Sequence, residues 1–322
     1  MFLSQPNPFK SIAIAPLLSH SALPLLVTPI DNNSWSYCFD EIKQLAEQYL
    51  NDIGGLVFRG FAMCDEHQFT QFVNAFGQQL LNYDYASTPR SEVAKGVYTS
   101  TEYPAHQVIP LHNEQAYTRS WPQKIWFHCV TAAEQGGETP IADSRKIYQK
   151  MDPQVKDKFT KHGLLYVRNY GNGLDLAWQE AFTTSNKSDV ERFCDNNQIS
   201  YLWKADGELQ TRQVCQAVAQ HPTTKEMVWF NQAHLFHISN LEPVIRETLI
   251  SIVGEENLPR NVYYGDGSPI EHATLVHIRD ILEQCKVSFR WQQGDVMMLD
   301  NMLAAHGRSS YKGKRKVVVA MA

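Results

Sequence analysis

The chain has 322 residues, 43% of them apolar, and carries 34 acidic against 29 basic side chains for a formal charge of -5. That is enough apolar matter for a sizeable core, and it lacks the basic field that binding to nucleic acid or to an anionic membrane surface requires. Six cysteines (Cys38, Cys64, Cys129, Cys194, Cys215 and Cys285) stand far apart with no C-x-x-C pair, which argues against a zinc knuckle or disulfide framework and for reduced thiols.

The opening residues Met1 to Pro8 show no charged stretch followed by an apolar one, so a cytoplasmic protein is expected. No apolar run approaches the roughly 18 residues of a membrane helix. Residues 34–52 place Tyr37, Ile42, Leu45, Ala46 and Leu50 at helical spacing and lead through Gly54-Gly55 into Leu56-Val57-Phe58, which predicts a helix and then a strand. Asp65, with Gln68 three residues on, is an N-cap for a second helix carrying Phe69, Phe72, Val73 and Phe76. This N-terminal region is α/β in texture.

From about Lys124 short β-type runs take over, at 125–130, 164–167, 227–230, 287–291, 296–299 and 317–320. Their spacing suits a sandwich or barrel. Residues 145–225 are more polar, with helical patterns at 145–159 and 187–196 and a hairpin turn at Asp206-Gly207, and read as an insertion that covers a site. No internal repeat or low-complexity tract divides the chain, so residues 1–322 read as a single domain holding that insertion.

His112-Asn113-Glu114 can aim a nitrogen and an oxygen at one point, because residues i and i+2 of a strand share a face. Alone the pair is weak, since composition supplies about one His-x-acid pair by chance. The later stretch strengthens it: Gly294-Asp295, an apolar strand and Asp300-Asn301 precede His306, a layout that can bring a third ligand from a neighbouring strand. A hydrogen-bonded core histidine is the alternative. Two imidazoles and a carboxylate hold iron(II) with positions left open; they also suit zinc, although no helical H-E-x-x-H is present. Arg315 precedes the apolar run Val317 to Met321, so it starts near the interior, and a buried guanidinium needs an anion. An organic dicarboxylate or a protein acid would serve. Thr139 offers a hydroxyl to the same anion or is a turn residue before Pro140.

Taken together, His112, Glu114, Thr139, His306 and Arg315 resemble the taurine dioxygenase-like (TauD/TfdA) family of Fe(II)/2-oxoglutarate-dependent oxygenases. The surrounding text is similar too: the strand entry from Pro122 to Val130, Gly136 to Arg145, Trp229-Phe230-Asn231, and Gly294-Asp295 before Asp300-Asn301. The resemblance spans about 35–322. It implies a mainly β fold with flanking helices, a double-stranded β-helix (jelly-roll) core. It further implies iron(II) on His112, Glu114 and His306, with 2-oxoglutarate held by Thr139 and Arg315 and consumed with O2.

Glu114, where the family more often has Asp, resembles the branch of clavaminate synthase-like enzymes and of hydroxylases for amino acids in peptide-antibiotic assembly. The related halogenases have a small residue at that position, so hydroxylation, desaturation or epoxidation is implied and halogenation is not. Eight residues separate His306 from Arg315, a short interval that leaves Arg308 as the alternative. Four residues after Arg315, where oxygenases of taurine and free amino acids often carry a second Arg, stands Val319. That favours an amino-acid-derived substrate lacking a strong anion at this point, such as one tethered to a carrier protein. A free carboxylate or sulfonate substrate, or a cupin-like metal-binding module, is the alternative. Trp229, Asn231, His234 and Arg119 are candidates for the substrate pocket, although His234 is also readable as a satisfied helix or loop histidine. A homo-oligomer stays open.

Overall fold

In the computed structural model, which describes residues 7–81, 85, 88, 90–171 and 173–322, the chain opens with an antiparallel hairpin, β1 (Ile12–Leu18) and β2 (Ser21–Pro29). Helix α1 (Phe39–Ile53) buries Ile42, Leu45, Ala46, Leu50 and Ile53, the stripe that a 3.6-residue period turns to one side. It ends at Gly54, whose φ of +88° lets its N–H close on the Leu50 carbonyl and turns the chain into β3 (Gly55–Phe58). Strands β2 and β3 are parallel, so β2, α1 and β3 form the α/β unit expected of this region. Helix α2 (Glu66–Ala75) starts as its sequence predicts: Asp65 accepts the Gln68 N–H at 2.8 Å and the Gln68 carboxamide accepts the Cys64 N–H at 2.7 Å.

Next come β4 (Glu92–Ala94), β5 (Val97–Thr99), β6 (Ile109–His112), β7 (Lys124–Thr131), β8 (Gln135–Gly136) and β9 (Ile141–Asp143). The polar stretch holds α3 (Ser144–Lys150), α4 (Pro153–His162), β10 (Leu164–Tyr170), α5 (Trp178–Ala181), α6 (Lys187–Asn196), β11 (Ser200–Trp203), β12 (Leu209–Cys215) and β13 (Val218–Gln220). Beyond it lie β14 (Met227–Trp229), α7 (Ala233–Phe236), α8 (Pro243–Val253), β15 (Arg260–Tyr264) and α9 (His272–Cys285). The chain closes with β16 (Val296–Asp300), β17 (Ala304–Arg308), β18 (Tyr311–Lys312) and β19 (Lys316–Met321).

One sheet runs β1-β2-β3-β16-β7-β19-β5-β4 and a shorter one β6-β17-β9. Phe127 and Val319 of the first and His306 of the second line a common recess. The two sheets therefore enclose an interior, a jelly-roll core with helices outside it. Three strands of the polar stretch join β15 in a further antiparallel sheet, β11-β12-β10-β15, with its own core around Phe159, Tyr166, Tyr170 and Leu209. Its last strand, β15, comes from beyond residue 225. The β11–β12 hairpin turns at Gly207 with φ +88°, the conformation that favours glycine.

Two expectations change. The helical pattern at 145–159 is broken into α3 and α4 because Pro153 cannot continue a helix; Asp152 caps the new one through the Gln154 and Val155 N–H groups. Residues 287–291 form no strand: Val287 alone bridges to Ile141, while Phe289 and Trp291 are buried from an extended loop, so their alternation reflects packing without a ladder. Among the described residues all six cysteines are free thiols, and no helix is long and apolar enough to cross a membrane.

Candidate metal centre

Strand β17 lies between β6 and β9, and its register sets His306 opposite His112. One ligand atom from each of His112, Glu114 and His306 falls within 4.8 Å of the others. His306 Nε2 is 3.8 Å from Glu114 Oε2, and the two imidazole centroids are 4.6 Å apart. Among the described residues, no other group of His, Cys, Asp or Glu converges in this way. Gly307 makes the approach feasible, since a Cβ there would lie 2.6 Å from the Ile109 carbonyl oxygen on the facing strand.

Burial holds both imidazoles below their ordinary pKa. For His112 the Glu114 carboxylate opposes the effect, and for His306 the neighbouring His112 and Arg90 reinforce it. Both rings are neutral at neutral pH. The His112 Nδ1–H donates to the Pro110 carbonyl at 2.8 Å, which leaves its Nε2 lone pair for a ligand. Two neutral imidazoles and a carboxylate form a donor set that fits iron(II).

Side-chain amides hold this corner in place. Asn301 accepts the Glu114 N–H at 2.8 Å and donates to the Glu114 and Pro122 carbonyls at 3.0 and 2.8 Å. Asn113 Nδ2 donates to the Asn301 carbonyl at 2.6 Å and to Ser144 Oγ at 3.1 Å. Gln232 Nε2 donates to the Asn113 carbonyl at 2.8 Å, and His234 Nε2–H to the Leu111 carbonyl at 2.8 Å. From the loop before β4, Arg90 Nη2 donates to Glu114 Oε2 at 2.8 Å. Gln232 and Arg90 escape the sequence reading, because each sits in a stretch with no apolar period or motif to mark it.

The recess behind the three ligand groups is lined in part by Ser100, Phe127, Thr139, Arg315 and Val319. Gly136 and Gly137 adopt φ of +67° and +74°, and a Cβ on Gly137 would come within 3.0 Å of Arg315 Cδ. Glycine there lets Arg315 Nε donate to the Gly137 carbonyl at 2.9 Å, while Nη1 reaches Ser100 Oγ at 3.3 Å. Burial, and then the like charge of Arg308, push the Arg315 pKa down to about 10. Among the described residues it makes no ion pair. Thr139 Oγ1 accepts from Trp291 Nε1 at 3.0 Å, which leaves its own O–H available as a donor. Arg308 is engaged otherwise: it donates to the carbonyls of Thr101, Tyr103, Pro104 and Gln107 at 2.8–3.1 Å. It secures that loop.

A cavity of about 660 Å³ opens over His112 and Glu114. Its walls are largely apolar, with Val108, Leu235, Phe236, Ile245 and Leu249 among them. Of residues 145–225, Leu174 and Asp175 line it, and Asp175 is paired with Arg260 at 2.5 Å. Helix α8, which contributes Ile245 and Leu249, has no buried residue.

Four pocket candidates lie elsewhere. Trp229 is buried against Phe159, ring centroids 4.9 Å apart, because β14 faces the second core. Asn231 is consumed by backbone, donating to the Ala217 carbonyl at 2.7 Å and accepting the Ala233 N–H at 3.0 Å; the next residue, Gln232, reaches the cavity instead. Exposed Arg119 donates to the Val214 carbonyl at 2.9 Å and to Gln198. His234 braces Leu111, as the satisfied-histidine reading has it.

Burial drives the His234 pKa down to about 3 and that of His237 to about 4. A histidine that protonates near 6.5 when unfolded and near 3 when folded makes the unfolded state the stronger proton binder between those values, so stability falls as pH falls through that window. For His234 the loss is on the order of 2 kcal/mol at pH 5. The melting temperature of metal-free protein is expected to drop between pH 7 and pH 5, and to drop less in His234→Gln, whose amide can still donate to Leu111.

Residues 16–321 match the family model described as taurine catabolism dioxygenase TauD, TfdA family. The chain belongs to this family. It is accordingly a dioxygenase that works with iron(II), 2-oxoglutarate and O2. A relative, the dapdiamide synthesis protein DdaC of Enterobacter agglomerans, is 42% identical over 275 residues, which cover 85% of this chain and 84% of that one. The clavaminate synthase-like protein At3g21360 of Arabidopsis thaliana is 30% identical over 331 aligned positions, covering 98% and 94%. The crystal structure of PvcB from Pseudomonas aeruginosa shares the fold, with a TM-score of 0.57 at 16% identity and coverage of 98% and 94%. Family membership sets aside the cupin-like module and the zinc hydrolase.

Proposed function

We propose that the chain oxidises an amino-acid-derived substrate, presented as an amide or a carrier-protein thioester, on iron held by His112, Glu114 and His306. The observation that carries this reading is the convergence of those three side chains, two of which line an apolar cavity, next to a recess where half-buried Arg315 makes no ion pair among the described residues. Bound iron(II) would supply the O2 and one-electron chemistry that side chains lack.

The protein's own part is positioning. Arg315 would take the far carboxylate of 2-oxoglutarate through charge-assisted hydrogen bonds, with the Thr139 hydroxyl as a further donor. Phe127, Ile109 and Val319 wall the recess with apolar surface and keep water out. Leu174, Asp175 and the rest of 145–225 would serve as part of the cover over the substrate.

Charge argues for the substrate class. Both arginines on the cavity wall, Arg90 and Arg260, already face carboxylates, Glu114 and Asp175, and the position of a second recess arginine is Val319, buried in β19. Among the described residues, a strongly anionic substrate group would meet no uncommitted guanidinium there. The relatives named for dapdiamide synthesis and as clavaminate synthase-like support an amino-acid-derived substrate. The test is succinate formation with a panel of free amino acids, their amides, and the same amino acids loaded on a carrier protein. Turnover of amides or loaded carriers above free acids is expected; preference for a free acid would contradict the substrate class.

A further inference from the structure

We infer that Arg90 is a positioning residue for this centre: it holds one oxygen of Glu114 so that the carboxylate meets the metal in a single orientation. The inference rests on the reading of His112, Glu114 and His306 as metal ligands. Arg90 Nη2 lies 2.8 Å from Glu114 Oε2, with the two side chains 5% and 4% exposed, and Arg90 lines both the substrate cavity and the recess beside His112.

The division of labour at Glu114 points the same way. Asn301 clamps its backbone at both the N–H and the carbonyl, which fixes where the side chain starts but not where it ends. A glutamate carries one more rotatable bond than the aspartate usual in the family, and each freely turning bond lowers the fraction of carboxylates that face the metal. Arg90 supplies the contact at the far end of that longer side chain. In this arrangement the extra methylene of Glu114 and the guanidinium of Arg90 form one device.

Two effects of the guanidinium oppose each other, and their signs separate the inference from its rival. If Arg90 merely balances the Glu114 charge, its removal relieves repulsion of a dication, and metal binds as well or more tightly. If it orients the carboxylate, its removal weakens binding, typically by about 10- to 100-fold for an outer partner of a ligand.

The experiment titrates the whole protein with Co(II), following the visible absorption of the bound ion and the heat of binding. In Arg90→Gln a roughly 10- to 100-fold weaker Co(II) affinity is expected, together with a changed Co(II) spectrum, a signature that a merely structural role would not move. Equal or tighter binding with the wild-type spectrum would overturn the inference. Should Arg90→Gln fail to fold, Arg90→Lys decides by the same criterion, because lysine keeps the repulsive charge and loses the reach and fork of the guanidinium. A wild-type protein that binds no Co(II) would instead overturn the metal reading itself, and this inference with it.

Discussion

Replacing His306 with alanine is expected to abolish stoichiometric iron(II) binding and to lower turnover by at least about 100-fold, since even an outer partner of a metal ligand is worth about 10- to 100-fold. The fold should survive. Among the described residues His306 Nδ1 is buried without a hydrogen-bond partner, and its Nε2 faces Glu114 at 3.8 Å, beyond hydrogen-bond range. A core histidine kept for structure would be hydrogen-bonded, as His234 is to Leu111. Removing His306 therefore strands no polar partner, and the loss should appear in metal content and succinate production while the melting temperature of the metal-free protein stays close to wild type. Unfolding in parallel with metal loss would return His306 to the core.

The second large effect separates two neighbouring arginines. Arg315→Ala is expected to raise the KM for 2-oxoglutarate by about 30-fold or more, the equivalent of the roughly 2–5 kcal/mol lost when one partner of a buried charge pair is truncated. Arg308→Ala should act on stability instead, because it leaves the Thr101, Tyr103, Pro104 and Gln107 carbonyls without their donor, at about 1–3 kcal/mol for each that stays buried and unpaired. Steady-state kinetics in 2-oxoglutarate and thermal melts of both variants make the comparison. A larger KM effect in Arg308→Ala would reverse the two roles.

Much of this centre was legible because its parts are written as local patterns. Continuous apolar runs bounded by turn residues mark β7, β16 and β19, and the Asp65 to Gln68 spacing marks the start of α2, since such signals depend on a few adjacent residues. The three candidate ligands are picked out in the sequence by order and spacing, and the register of β17 against β6 is what turns order into proximity. What the sequence hides depends on contacts across the fold. Arg90 meets Glu114 across 24 positions of chain, and Asn301 across 187.

The pocket shows the same limit at finer scale. Trp229, Asn231 and Gln232 are consecutive or nearly so, yet they point to a core, to backbone groups and to the cavity in turn. Which of the three faces the substrate is set by how β14 and α7 dock, and no period in so short a stretch records it. The loop at 288–293 misleads for a related reason: Phe289 and Trp291 alternate as in a strand because both are buried, while no neighbouring chain runs alongside to pair them.

The most direct test of iron on His112, Glu114 and His306 with 2-oxoglutarate against Arg315 is an anaerobic titration. Protein loaded with Fe(II) is mixed with 2-oxoglutarate and followed in the visible range. A weak metal-to-ligand absorption band that saturates at one 2-oxoglutarate per chain is expected, absent in His306→Ala and shifted to higher 2-oxoglutarate concentration in Arg315→Ala. No band in the wild-type protein, together with tight zinc binding and no binding of 2-oxoglutarate, would contradict it.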